Sequence, residues 1–152
     1  MKHFHSHREA LYGLRDMGWN KMKMDLKYRR FATKIEEIPK IASEIAKNKH
    51  VKAIYLFGSY ANGKMHNLSD IDLCIITDGN EEVSFPVTDN LDVSYFHLLP
   101  LIIQFRVFSE GKPLIVNDKN YVDRLKIRTI NNYIDFKPFL NRFIMEKFKC
   151  TI

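Results

Sequence analysis

Two aspartates one residue apart, Asp70 and Asp72, stand at the head of the apolar run Ile71-Asp72-Leu73-Cys74-Ile75-Ile76. In an extended strand, side chains at i and i+2 project from the same face. The two carboxylates then point together, while Ile71, Leu73 and Ile75 face the opposite way into a core. Like charges so placed repel unless a cation lies between them, and hard carboxylate oxygens favour Mg²⁺ or Mn²⁺. The same spacing also arises where one aspartate caps a turn and the other sits at a sheet edge. The pair alone therefore defines no site.

A second feature lies just upstream. The β-favouring run Val51 to Phe57 is stopped by Gly58-Ser59, and Tyr60-Ala61-Asn62-Gly63-Lys64 follows. Glycine directly after a strand permits a tight turn or close approach of backbone to a ligand. Ser59 to Gly63 is expected to open a short helix whose free N–H groups favour a phosphate anion. The Ser59 hydroxyl adds a donor there, and Lys64 is within plausible reach of the same phosphate. A phosphate-holding turn beside a carboxylate pair supplies the two halves of an NTP·Mg²⁺ site. Gly58 to Gly63-Lys64 also reads as most of a P-loop, but Met65 stands where a P-loop places a Mg²⁺-binding hydroxyl. The acidic residues also precede their strand, whereas a Walker-B aspartate ends one. For a third carboxylate the candidates are Asp92, Asp89 and Glu82. Asp92 lies inside the alternating run Leu91 to Phe96, where a charge on a strand face needs a reason; Asp89 and Glu82 lie in polar, loop-like sequence.

The elements that must position these groups form a simple series. Phe31, Ile35, Ile38, Ala42 and Ile45 recur at helical spacing, with Pro39 expected to split or kink that helix. Strands are expected at Val51 to Phe57, Ile71 to Thr77 and Leu91 to Phe96. Pro100 starts a helix that stops at Gly111, and Pro113 to Val116 forms a short edge strand. Tyr121 to Phe148 has helical spacing with Pro138 as an expected break. The series predicts an α/β (α+β) fold, one small mixed β-sheet flanked by helices. It divides into an N-terminal extension over 1–24, loosely ordered, and a single domain over 25–152. The alternate histidines His3, His5 and His7 belong to that extension.

Composition excludes several classes. Hydrophobic content of 45% with 28% charged residues is ordinary for a globular protein. No apolar run approaches the roughly 20 residues that cross a bilayer, and the N-terminus lacks the apolar stretch of a secretory signal. Cys74 and Cys150 make no disulfide framework, so a cytoplasmic location is expected, with Cys74 in the core. The net charge of +6 is uneven, because both flanks are basic and the centre is acidic. Such flanks suit a polyphosphate substrate, a nucleic acid or an acidic partner, and equally suit solvated helix faces.

Gly58-Ser59, ten intervening residues, then Asp70-Ile71-Asp72 resembles the signature of the DNA-polymerase-β-like nucleotidyltransferase superfamily. Within it, the short length and the form Gly-Ser-Tyr-Ala-x-Gly look like the minimal nucleotidyltransferases, the antitoxins of HEPN/MNT toxin–antitoxin pairs. Leu91-Asp92-Val93 looks like the strand that bears the third carboxylate, and Tyr133 to Pro138 like the group's C-terminal helix. The resemblance implies two Mg²⁺ ions (or Mn²⁺) held by Asp70, Asp72 and Asp92, with ATP as substrate and Gly58, Ser59 and Lys64 on its phosphates. It further implies transfer of AMP to a tyrosine of a HEPN-type toxin partner. Two alternatives remain open: an antitoxin acting as a non-catalytic binding module, and nucleotidyl transfer to RNA or a small molecule. No aromatic–basic motif supports a nucleic-acid partner.

Overall fold

The computed structural model describes residues 34–64, 69–85, 88 and 90–148. A 3-10 turn at Ile35–Glu37 leads into helix α1 (Ile38–Ala46), then strands β1 (Val51–Phe57), β2 (Ile71–Thr77) and β3 (Leu91–Tyr95). Helix α2 (Leu101–Glu110), strand β4 (Lys112–Val116) and helix α3 (Lys119–Phe148) complete the order. The strands form one sheet in the order β3-β2-β1-β4. β1 runs antiparallel to both β2 and β4, while β2 and β3 run parallel. This is the mixed sheet with flanking helices that the sequence predicts. No helix among the described residues is long and apolar enough to cross a membrane.

The core is two-sided. Along β2, Ile71, Leu73 and Ile75 are fully buried on one face. There, α1 covers the sheet with Ile38, Ala42 and Ile45, one stripe at helical spacing. On the other face Cys74 and Ile76 are equally buried, beneath Val107 and Phe108 of α2 and Val122 and Leu125 of α3. Burial pushes the Cys74 thiol well above its ordinary range, so Cys74 is an inert core group. Asp72 thus continues the face that α2 and α3 cover, beyond the point where that cover ends, and Asp70 lies just ahead of the strand.

Two prolines behave differently from expectation. Pro39 sits in the first turn of α1, where its missing N–H has no intrahelical partner to lose, so it starts the helix and does not split it. Pro138 lies inside α3, which runs unbroken for 30 residues. The carbonyl that loses its partner there belongs to Ile134, on an exposed stretch where water can replace the bond. Phe96, expected at the end of β3, instead enters a 3-10 turn over Phe96–Leu98. The extension over 1–24, with its three histidines, and Phe31 lie outside the described residues.

The end of the sheet remote from the aspartate pair is fastened by polar contacts. His50 Nδ1 lies 2.9 Å from Asp78 Oδ1, and Lys52 Nζ lies 3.0 Å from Asp78 Oδ2. The hydrogen bond to His50, then that to Lys52, holds the Asp78 carboxyl below the usual carboxylate range. A carboxyl depressed in the folded state stabilises above its unfolded value, about 3.9, and that stabilisation fades as pH falls through the folded value. Asp78→Asn should accordingly lower stability at pH 7 and make little difference at the acid end. Denaturant unfolding of both proteins across this range is the check.

Candidate active site

Asp72 is the second residue of β2, and its register partners define its surroundings. On one side it pairs with Phe57, the last residue of β1; on the other it pairs with Asp92 of β3. Paired residues on neighbouring strands share a face, with backbones about 4.8 Å apart. Asp72 and Asp92 therefore stand side by side on the face that carries Cys74 and Ile76 further along. Asp70 lies two residues before Asp72, just ahead of the strand. All three aspartates are half-buried. Asp70 and Asp72 are each engaged by further polar or electrostatic contacts.

Gly58 completes the corner. Its φ of +74° is left-handed, a conformation that side-chain-bearing residues rarely adopt. A Cβ built there would run into the Asp72 carboxylate, with Cγ at 3.0 Å. The glycine thus serves both the turn and the carboxylate that rests against it. The segment after it differs from expectation. It is a single 3-10 turn over Gly58–Tyr60, not a helix, and the Gly58 carbonyl accepts from the Ala61 and Asn62 N–H groups at 3.2 and 3.3 Å. One such turn supplies unbonded N–H groups at its start but no helix dipole. Any hold on phosphate here rests on those N–H groups and on the Ser59 hydroxyl.

The remaining candidates separate cleanly. Lys64 is exposed at the end of the turn, its backbone N–H donating to the Ser59 carbonyl at 3.0 Å and to Asn62 Oδ1 at 3.2 Å. No described contact joins its ammonium to the carboxylates. Glu82 is exposed in a segment without regular structure, and Asp89 lies outside the described residues. Phe57, which the sequence reading passed over, is the apolar neighbour of Asp72 on the β1 side. Its signal was simply its place, directly before Gly58-Ser59.

Among the described residues, no three His, Cys, Asp or Glu side chains close on one point tightly enough to hold an ion unaided. The donor set nonetheless suits a hard divalent cation, which would need the oxygens of Asp72 and Asp92 and further oxygens from a phosphate. Neighbouring carboxylates also repel at neutral pH, so a cation between them is what would draw them closer.

A four-stranded mixed sheet with helices on both faces and acidic residues at one end of two parallel strands is a nucleotidyltransferase-type architecture. Residues 39–120, just over half of the chain, match the family model described as Polymerase beta, Nucleotidyltransferase, and the chain belongs to that family. No curated protein sequence matches it. Among solved structures it is similar to a chain of a toxin–antitoxin crystallised with AMP-PNP, at 19% identity and a TM-score of 0.59. That match covers 73% of this chain and 95% of the other. A mutant MntA–HpeT toxin–antitoxin matches at 19% identity and a TM-score of 0.57, covering 75% of this chain and 98% of the other. A tri-AMPylated Shewanella oneidensis HEPN toxin in complex with MNT antitoxin matches at 18% and 0.52, with coverage of 74% and 98%. At these identities the likeness is one of fold.

The Gly58 geometry makes a differential prediction. Gly58 and Gly63 share nearly the same φ, +74° and +71°, but a Cβ at Gly63 meets nothing within 4 Å. Gly63→Ala should cost only the backbone strain, about 1–3 kcal/mol. Gly58→Ala should cost more, because it also displaces the Asp72 carboxylate. Equal losses in thermal or denaturant unfolding would contradict the contact between Gly58 and Asp72.

Proposed function

We propose that this chain is a Mg²⁺-dependent nucleotidyltransferase that moves AMP from ATP to a tyrosine of a HEPN-type toxin, and so acts as its antitoxin. The observation that carries the transferase reading is the lateral pairing of Asp72 with Asp92, with the Asp72 carboxylate against Gly58. Family membership supports the same reaction class. For the acceptor, support comes from the similar folds, one in a complex whose HEPN toxin is AMPylated and one crystallised with AMP-PNP.

In this reading Asp70 and Asp72 would hold one Mg²⁺ and, with Asp92, a second. Bound there, the ions would neutralise phosphate charge and would make the acceptor hydroxyl more acidic. The chain's own groups bind and orient. The N–H groups of the Gly58–Tyr60 turn and the Ser59 hydroxyl steady the triphosphate, and the exposed Lys64 offers a cation to its far end. The tyrosine oxygen forms a bond to the α-phosphorus as the bond from that phosphorus to the bridging oxygen breaks. Pyrophosphate leaves, and the phenolic proton passes to the half-exposed Asp92 carboxylate. Positioning and charge neutralisation supply most of the acceleration.

Incubation with ATP, Mg²⁺ and a HEPN-type toxin should raise the toxin's intact mass by one or more AMP groups. Asp70→Ala/Asp72→Ala should reduce the rate by about 10²–10³ or more, the range for a lost electrostatic catalytic group. If the double variant neutralises the toxin as well as the native chain, with no mass change in either case, the chain acts by binding and the transferase reading fails.

A further inference from the structure

Apart from the carboxylates, two clefts lie near the remote end of the sheet, and their electrostatics differ. The larger, of about 520 Å³, is lined by Lys47, Lys49, Lys52 and Lys119. Its charge is largely cancelled, since Glu44 pairs with Lys47 at 2.8 Å, Asp78 with Lys52 at 3.0 Å, and Asp123 with Lys119 at 2.6 Å. Asp118, also in its lining, caps the start of α3 by accepting from the Tyr121 N–H.

The smaller cleft, of about 260 Å³, lies where β2 ends, between the 3-10 turn at Phe96–Leu98 and helices α2 and α3. No carboxylate lines it; of the two that adjoin its lining along the chain, Asp78 is engaged by His50 and Lys52, and Glu81 is exposed. Part of its polar lining is committed to structure. Tyr121 Oη donates to the Thr77 carbonyl at 3.1 Å, and Gln104 Nε2 donates to the Phe96 carbonyl at 2.9 Å. Thr129 Oγ1 donates to the Leu125 carbonyl at 2.9 Å. These bonds fix the walls. Four other side chains make no hydrogen bond or ion pair among the described residues: Arg128 and Asn132, one turn apart on α3, line the cleft as exposed side chains with Asn80 and with His97, whose ring lies 5.7 Å from that of Tyr95.

From these features we propose a second binding site, in which Arg128, His97, Asn80 and Asn132 take the phosphate group of a small molecule. A guanidinium can grip two oxygens of one phosphate, and the amide and imidazole donors around it fit the remaining oxygens. The volume admits the phosphate group, and whatever carries that phosphate would extend out of the cleft. The site is independent of the nucleotidyl-transfer reading. Thr77 lies five residue steps along the strand from Asp72, about 16 Å at the usual rise.

The test is an amide NMR titration of the full chain with inorganic phosphate, and separately with AMP. Phosphate should shift the resonances of Gly79, Asn80, His97, Arg128 and Asn132. Arg128→Gln should weaken that binding at least about tenfold, the loss of a charge-assisted contact, while Arg128→Lys retains part of it. Asp72→Asn should bind phosphate in the cleft like the native chain, which separates this site from the carboxylate corner. Tighter binding of AMP in the cleft assigns a nucleotide as the source, and equal binding assigns free phosphate. Absence of shifts around the cleft, or shifts that survive Arg128→Gln unchanged, would overturn the proposal.

Discussion

The arrangement depends on holding two like charges side by side. Asp72 and Asp92 occupy laterally paired positions on parallel strands, and their mutual repulsion favours any register that separates them. What opposes that is apolar burial. Ile71, Leu73 and Ile75 alternate with the acidic face and are wholly enclosed beneath α1. A one-residue slip of β2 would move all three to the opposite face, leaving Ile71 where the cover of α2 and α3 ends, and send Asp72 beneath α1. Each such side chain is worth about 1.5–3 kcal/mol when buried, against a partly screened repulsion between half-exposed carboxylates. The core thus fixes the register, and the register fixes the pair.

Gly58 extends that logic from the sheet to the turn. β1 ends at Phe57, the chain turns left-handed at once, and the space left by a missing Cβ is where the Asp72 carboxylate lies. Gly111 solves a similar problem elsewhere by a different means. Its φ of −72° is ordinary, but a Cβ would press on the carbonyls of Val107 and Leu56 as α2 turns into β4. One glycine permits a conformation and a close approach; the other permits only the approach. Both let an element join β1 without a gap.

Much of this was legible in the sequence, because the strands are short apolar runs bounded by turn residues. The limits of β1 and β2 follow directly, and with them the face on which Asp72 lies. The pairing of Asp92 with Asp72 was not legible, since a parallel contact across the connecting segment 78–90 leaves no local pattern. Tyr95 helps seat that connection: its hydroxyl accepts from the Val83 N–H at 2.8 Å and donates to the Val83 carbonyl at 3.1 Å. The prolines misled for a physical reason. A proline's effect depends on whether its place is a first turn, as for Pro39, or an exposed stretch, as for Pro138, and tertiary packing decides which. The polar set around Arg128 was equally hidden, because its members come from three segments distant in sequence.

The account stands on acidic side chains gathering around divalent ions at the Gly58 corner. Crystals grown with Mn²⁺ and a non-hydrolysable ATP analogue would report this directly through the anomalous signal of the metal. The account predicts manganese bound by Asp72 and Asp92, with Asp70 alongside and the analogue's phosphates against the Gly58-Ser59 turn. Manganese bound elsewhere, or at Asp70 and Asp72 with Asp92 turned away, would contradict it.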